Sequence, residues 1–356
     1  MSKISTKINM GNFFEDFFMG QEIVHPLPRT ISEGDVSLYI AFTGSRFALH
    51  SSDIVAKELG YEKRPIDDIL MFHLTFGKSV QDISLNAIAN LGYAEIRFPT
   101  SVYVGDTVSM SSTVIGLKEN SNGKSGVVYV HSIGKNQRDE EVLNFKRWVM
   151  VHKRDTQTLS KISEIPSFKE ATPILEKINI PKIDEVNTDA TGGKFFFEDY
   201  EVGERLNHPE GITIDNSDHT LATKLYQNNA KVHFNDHMMK SSPMGQRLMY
   251  GGIIISIARA ISFNGLQNAQ WVYAINSGAH CNPTYAGDTI YAYTEILEKL
   301  EHSREDIGLL RLRTIAVKNQ ASSEIEQPKD EEGKYLKNVV LDLDYTVIIP
   351  KKKTGK

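Results

Sequence analysis

Placing Phe13-Phe14-Glu15-Asp16 over Phe196-Phe197-Glu198-Asp199 sets an offset of 183 residues, and the match runs without a gap from 13–50 against 196–233. Twelve of these 38 positions are identical, where average composition gives roughly two or three. The identities include Gly20 with Gly203, His25-Pro26 with His208-Pro209, Asp35 with Asp218, Leu38 with Leu221 and His50 with His233. Tyr103-Val104-Gly105-Asp106-Thr107 then meets Tyr285-Ala286-Gly287-Asp288-Thr289 at an offset of 182, so one residue has been lost in between. This period far exceeds the roughly 20 to 50 residues of a solenoid repeat. The 356-residue chain is therefore two fused copies of one domain, which predicts packing about a pseudo-twofold axis in imitation of a homodimer. The expected division is an N-terminal domain over 1–154, a linker over 155–193 that holds Pro166, Pro173 and Pro181, and a C-terminal domain over 194–356.

Each copy shows the same order of elements. A short aromatic segment precedes a helix that starts at Ser32 or Glu33 in the first copy and at Asp215 or Ser217 in the second. A loop ends in the shared histidine. A second helix follows, from Asp67-Asp68 through Phe76 toward Val80 and from Gly251-Gly252 through Ile261, apolar on more than one face and so expected to be buried. Strands are predicted over 107–117, 126–133 and 142–152, then over 289–297, 308–317 and 339–349. In the last of these Leu341, Leu343, Tyr345 and Val347 alternate with polar neighbours. The fold class is α+β, with an antiparallel sheet wrapped around a central helix in each half.

Composition excludes several functions. Hydrophobic residues at 40% and charged residues at 24% supply real cores. Forty Lys and Arg stand against 45 Asp and Glu, and the one dense basic run is the tail Lys351 to Lys353, ending in Lys356. Nucleic-acid binding is therefore not expected. The single cysteine, Cys281, cannot form an intrachain disulfide, and the first residues lack an apolar signal core, so a reducing, cytoplasmic setting is expected. The longest apolar stretch, 251–261, carries Arg259 and is about half the twenty residues a membrane span needs.

The strings TGSRFALHSS (43–52), PIDDILMFH (65–73), ISLNAIANLGYAEIRF (83–98) and YQNNAKVHFN (226–235) carry a resemblance that covers nearly the whole chain. It resembles the MaoC-like, R-specific enoyl-CoA hydratase branch of the hotdog superfamily in its double-hotdog form, and within that branch the mesaconyl-CoA hydratase (beta-methylmalyl-CoA dehydratase) family. The resemblance implies a hydro-lyase that interconverts mesaconyl-CoA and beta-methylmalyl-CoA. It implies an acyl-CoA thioester as partner, no metal, no cofactor beyond the CoA of the substrate, no membrane, and a possible homodimer. A hotdog acyl-CoA thioesterase and a non-catalytic acyl-CoA-binding protein are the alternatives.

Hydration of an enoyl thioester needs a polarised carbonyl, a group that activates water and a proton donor for the α-carbon. The family takes the first from a backbone N–H at the start of its central helix and the others from an Asp and a His five apart. Here Gly251-Gly252 open the second copy's helix, where missing side chains let a carbonyl oxygen reach free N–H groups; tight helix packing is the other reading. The first copy has Asp68 and Ile69 there, and a carboxylate is a poor neighbour for a developing enolate. The reaction is therefore expected in the second copy, with Gly252 and Gly251 at the oxyanion.

His50 and His233 fill the family's histidine position, but Ser45 and Asn228 replace its carboxylate. Either Asn228 orients water while His233 moves protons, helped by Asp236 or the substrate's own carboxylate, or the second copy has lost this chemistry. Asn229 and Asn235 add polarity that implies substrate contact, and His50 is expected in a structural or substrate-binding role. A mesaconyl substrate has a free carboxylate, which the fork of an arginine fits. Arg46 is the expected anchor, with Arg97 and Arg247 in reserve.

Other signals carry less. His233 and His237 lack the glutamate of a zinc-protease motif. Gly123-Lys124-Ser125 lacks the upstream glycine of a phosphate loop and reads as a hairpin tip. The two Gly-Asp-Thr triplets read as turns, Phe13-Phe14 and Phe196-Phe197 as core, and Cys281 as a packing residue.

Overall fold

The structure, a computed structural model, describes residues 7–157 and 160–353; the first six residues and Lys356 lie outside these. The first copy runs β1 (Glu22–Thr30), α1 (Glu33–Thr43), α2 (Ala48–Ser51), α3 (Asp53–Glu58) and the central α4 (Asp68–Phe76), then β2 (Ala87–Arg97), β3 (Thr107–Glu119), β4 (Ser125–Lys135) and β5 (Glu141–His152). Between the copies come β6 (Ser163–Glu164), paired with β3, and α5 (Thr188–Thr191). The second copy runs β7 (Arg205–Asn207), β8 (Ile212–Thr213), α6 (Asn216–Leu225), α7 (Lys231–Phe234), α8 (Asp236–Lys240) and the central α9 (Gly251–Ile261), then β9 (Trp271–His280), β10 (Thr289–Glu301), β11 (Ile307–Lys318) and β12 (Val339–Pro350).

Local chemistry sets the helix starts. Ser32 accepts from the Asp35 N–H at α1, and Asp35 returns the bond to the Ser32 N–H; Asp215 and Asp218 repeat this capping box at α6. The central helices are largely apolar and enclosed, and every residue of α9 from Gly252 to Ile261 is buried. Each fully buried Ile, Leu or Phe contributes about 1.5–3 kcal/mol, so wrapping the sheet around these helices is the main source of stability. Leaving them on a surface would forfeit it.

All strands form one antiparallel sheet in the order β1-β3-β4-β5-β2-β9-β12-β11-β10-β7, with β8 also on β10. Each half is a hotdog, and the β2–β9 ladder fuses them into a double hotdog. In that ladder Ala94 faces Ser277, its own repeat partner 183 residues away. Beneath it, His73 Nε2 of α4 lies 3.1 Å from Ser256 Oγ of α9, again 183 residues apart. A residue that faces its own repeat marks a twofold axis, so the expected pseudo-twofold runs through both pairs. Hydrophobic alternation marks neither β2 nor β9 in the sequence, because both are rich in Ala, Gly and Asn, and β2 meets β5 through three register shifts.

The shared histidines at 25 and 208 hold the frame. His25 binds Asp82 and Ser112, both at 2.8 Å, and His208 binds the Asn264 carbonyl and Thr294, both at 2.8 Å. Phe14 and Phe197 are core residues and pack on Gly126 and Gly308, and Gly123-Lys124-Ser125 forms the tip between β3 and β4. Among the described residues no helix is long and apolar enough to cross a membrane.

The copies also meet where α4 ends. Lys78 Nζ donates to Gln227 Oε1 at 2.6 Å, and a Cβ on Gly77 would fall 1.7 Å from the Tyr226 carbonyl oxygen. Gly77→Ala therefore forces the copies apart and is expected to cost about 2–3 kcal/mol, measured by equilibrium denaturation. An unchanged midpoint would show that this contact is not needed.

Candidate active site at the seam between the copies

α9 points its N-terminus into a cavity of about 420 Å³ that both copies line. The second copy supplies Asn228, His233, Tyr250, Gly251 and His280, and the first supplies Asn90, Tyr93 and Arg147. Phe76, Val80, Ile254 and other apolar side chains complete it, and no Asp or Glu is among the lining residues.

His233 lies on α7 with Nδ1 2.8 Å from the Leu248 carbonyl oxygen. That carbonyl accepts from Nδ1–H, so Nε2 is left as the basic nitrogen. Burial lowers the His233 pKa to about 4, which keeps the ring neutral near pH 7. His50 repeats the first bond, its Nδ1 lying 3.2 Å from the Pro65 carbonyl, but its Nε2 also lies 3.0 Å from the Gln270 carbonyl. The crevice beside it, lined by Tyr39, Ser45, Phe47 and Asp67, has no room for a water molecule. One shared histidine is open to a ligand and the other is closed by its own backbone.

The helix starts differ in the same sense. Asp67 caps α4 by accepting from the Ile69 and Leu70 N–H groups at 2.8 and 3.4 Å. Asp68 accepts from Val272 N–H at 3.0 Å, and burial pushes its pKa up to about 6. In the second copy Tyr250 and Gly251 occupy these two positions, and Tyr250 makes no side-chain cap. Gly251 lines the cavity, and a Cβ there would fall 2.4 Å from the His280 ring. Gly252 does not line it; its Cβ would fall 2.4–2.5 Å from the Tyr250 and His73 rings, so close packing alone demands glycine there.

Other expected site residues scatter. Asn228 is 3% exposed and lines the cavity, its Oδ1 accepting from Ala230 N–H at 3.4 Å. Asn229 reaches across the copies to Gln81 at 2.9 Å, and Asn235 caps α8 through Met238 N–H at 3.0 Å; neither lines the cavity. Asp236 is exposed, pairs with Lys240 at 3.0 Å and lies outside the cavity, so it gives His233 no help. Arg46 pairs with Glu210 at 3.0 Å and stacks on Phe263, and Arg247 binds Asn216 and Thr220. Neither these arginines nor Arg97 and His237 reach the cavity. Cys281 does line it, but burial pushes its thiol up to about 12, which suits packing rather than attack.

Three residues on the wall escaped the sequence reading. Arg147 is fully buried, and among the described residues its only hydrogen bonds go to the hydroxyls of Ser84 at 3.0 Å and Ser79 at 2.8 Å. Its signal was readable: β5 points Phe145, Arg147, Val149 and Val151 inward, a charge in an apolar register. Asn90 has both side-chain polar atoms buried without a partner, and so does His280, whose pKa burial lowers to about 4. These two sit on strands that carry no alternation, so nothing in the pattern set them apart.

A family model described as mesaconyl-CoA hydratase matches residues 1–170 and 218–326. The chain is 52% identical to the beta-methylmalyl-CoA dehydratase of Chloroflexus aurantiacus, over 98% of this chain and all of that one. It is 48% identical to the mesaconyl-CoA hydratase of Cereibacter sphaeroides, over 97% of this chain and all of that one. Among solved structures, a MaoC domain protein from Chloroflexus aurantiacus superposes with a TM-score of 0.94 at 52% identity, covering 98% of this chain and all of that one. A double-hotdog protein from Mycobacterium tuberculosis, 22% identical, superposes at 0.77 over 95% of this chain and 98% of that one and shares the fold. Likeness of this extent, in sequence and in structure, places the chain in a family: it belongs to the mesaconyl-CoA hydratases.

Proposed function

We propose that this chain is a hydro-lyase that adds water reversibly to mesaconyl-CoA to give beta-methylmalyl-CoA, with the reaction confined to the cavity of the second copy. The observation that carries the reading is His233, with Nδ1 held by Leu248 and Nε2 left basic beside an uncapped helix start. On this reading residues 194–356 form the domain that holds the reacting groups, and 1–154 the domain that closes the other wall.

The thioester oxygen lies at the N-terminus of α9, where the Gly251 N–H and the helix dipole stabilise negative charge. The Asn228 carboxamide orients water without taking its proton. His233 Nε2 removes that proton as the water oxygen bonds to the β-carbon, and the double-bond pair moves onto the thioester as an enolate. The protonated His233 then returns its proton to the α-carbon, so one water becomes the β-hydroxyl and the α-hydrogen. Dehydration runs the same steps backwards. One histidine suffices because the proton removed is the proton returned, which accounts for a site without the family's carboxylate. The chemistry calls for no metal or separate cofactor; CoA arrives with the substrate.

His233→Ala is expected to lower kcat by about a thousandfold, while His50→Ala keeps kcat within about threefold and loses about 1–3 kcal/mol of stability from the carbonyl left without its donor. Hydration assays and thermal melts check both, and the opposite pattern would place the chemistry in the first copy. The base acts only when unprotonated, and burial lowers its pKa, so the active form persists as pH falls. The kcat/KM profile should stay flat below neutrality and turn down near pH 4; an acid limb near the ordinary imidazole value of about 6.5 would contradict it.

A further inference from the structure

Mesaconyl-CoA and its hydrate carry a free carboxylate on the carbon that gains the hydroxyl. A buried carboxylate needs donors that have no other partner. Arg46, the arginine favoured by the sequence, already has Glu210 and stands apart from the cavity.

The wall formed by the first copy and β9 has what Arg46 lacks. Arg147 is a fully buried guanidinium whose described hydrogen bonds are two, both to neutral hydroxyls, and its Nε has no partner. Its carbon lies 4.3 Å from the centre of the Phe76 ring, so one face is shielded from water. Ser79 and Ser84, which hold it, belong to the irregular turns Gly77–Ser79 and Val80–Ser84 that extend α4; the second is a π-turn, a distortion found often at functional sites. The unpartnered amide of Asn90 and the unpartnered ring nitrogens of His280 line the same cavity. The Arg147 Nε, the Asn90 amide and the His280 ring nitrogens, all buried without partners on one wall, are costly unless a ligand engages them.

The closed crevice supplies a comparison, although its buried arginine stands on α9, where Phe76 is the repeat counterpart, and is not the twofold mate of Arg147 on β5. Arg259, also buried, stacks on Phe47 and donates to the Ala269 carbonyl. The charges of Asp67 and Asp68 act on it. Those two carboxylates are the positions that become Tyr250 and Gly251 beside Arg147. One buried arginine therefore has counter-charges from the protein, and the other has none among the described residues.

We infer that Asn90, Arg147 and His280 form the subsite for the free carboxylate of the substrate, with Arg147 as its anchor. The substrate takes the place that Asp67 and Asp68 fill at the closed site. A fork on the carboxylate fixes the β-carbon above the water held by Asn228, so the subsite sets specificity as well as position. The inference rests on the proposed hydratase reading.

The test compares kcat/KM for mesaconyl-CoA with that for tiglyl-CoA, in which a methyl group replaces the carboxylate, in wild type and in Arg147→Met. Wild type should favour mesaconyl-CoA by about a thousandfold, and Arg147→Met should reduce this ratio to within about tenfold of one. Arg147→Lys, which keeps the charge without the fork, should fall between them. If Arg147→Met does not fold, as shown by circular dichroism, Ser84→Ala decides: it removes one of the bonds that aim the guanidinium and should raise KM for mesaconyl-CoA but not for tiglyl-CoA. A preference that survives Arg147→Met, or a Ser84→Ala variant that raises both KM values equally, would overturn the subsite while leaving the hydratase reading standing. A wild type that hydrates neither compound would overturn the reading itself.

Discussion

The β2–β9 ladder is the interaction on which the rest depends. It joins two sheets edge to edge, removes two open edges and brings the two central helices together beneath it. With the axis through Ala94 and Ser277, the open cavity is walled by the second copy's helix start and by the first copy's β2 and β5. Neither copy alone could enclose the cavity: His233 and Gly251 come from one, Arg147 and Asn90 from the other. The duplication is thus a condition of the site.

Symmetry of the backbone did not preserve symmetry of the chemistry. Both shared histidines keep the same Nδ1 bond to the carbonyl 15 residues on, so the scaffold of the site survives twice. Its surroundings diverged at a few positions. In the first copy Asp67 turns inward to cap its helix and the Gln270 carbonyl lies against the remaining ring nitrogen, closing it to a ligand. In the second, Tyr250 offers no cap and Gly251 no side chain, and the space opens. A structural half and a reactive half follow from where the polar atoms are satisfied. A buried group that is satisfied stabilises the fold, and one that is not is available to a ligand.

Much of this was legible in the chain. The ungapped repeat anticipated the pseudo-twofold, and the contrast of Gly251-Gly252 with Asp68-Ile69 anticipated which helix start is open. The position of the shared histidine followed from the same alignment. What the pattern did not disclose lies at the seam. Strands rich in Ala, Gly and Asn with shifted registers escape a test based on alternation, so β2, β9 and the residues they carry, Asn90 and His280, went unmarked. Arg46 drew notice because it sits in a conspicuous string, but a string does not reveal that Glu210, 164 residues away, neutralises it. Arg147 broke an inward apolar series and was the better signal, since a charge in such a register is costly unless it has a task. Gly252 shows the converse: its place at a helix start suggested an oxyanion role, and contact with His73 and Tyr250 accounts for it.

The central claim is that two homologous crevices make one working site per chain. Calorimetric titration of the intact protein with succinyl-CoA, a carboxylated thioester that has no double bond to hydrate, tests this directly. One equivalent should bind per chain, and binding should vanish in Gly251→Asp, which gives the open helix start the carboxylate of the closed one. Two equivalents per chain, or binding that survives Gly251→Asp, would contradict the account.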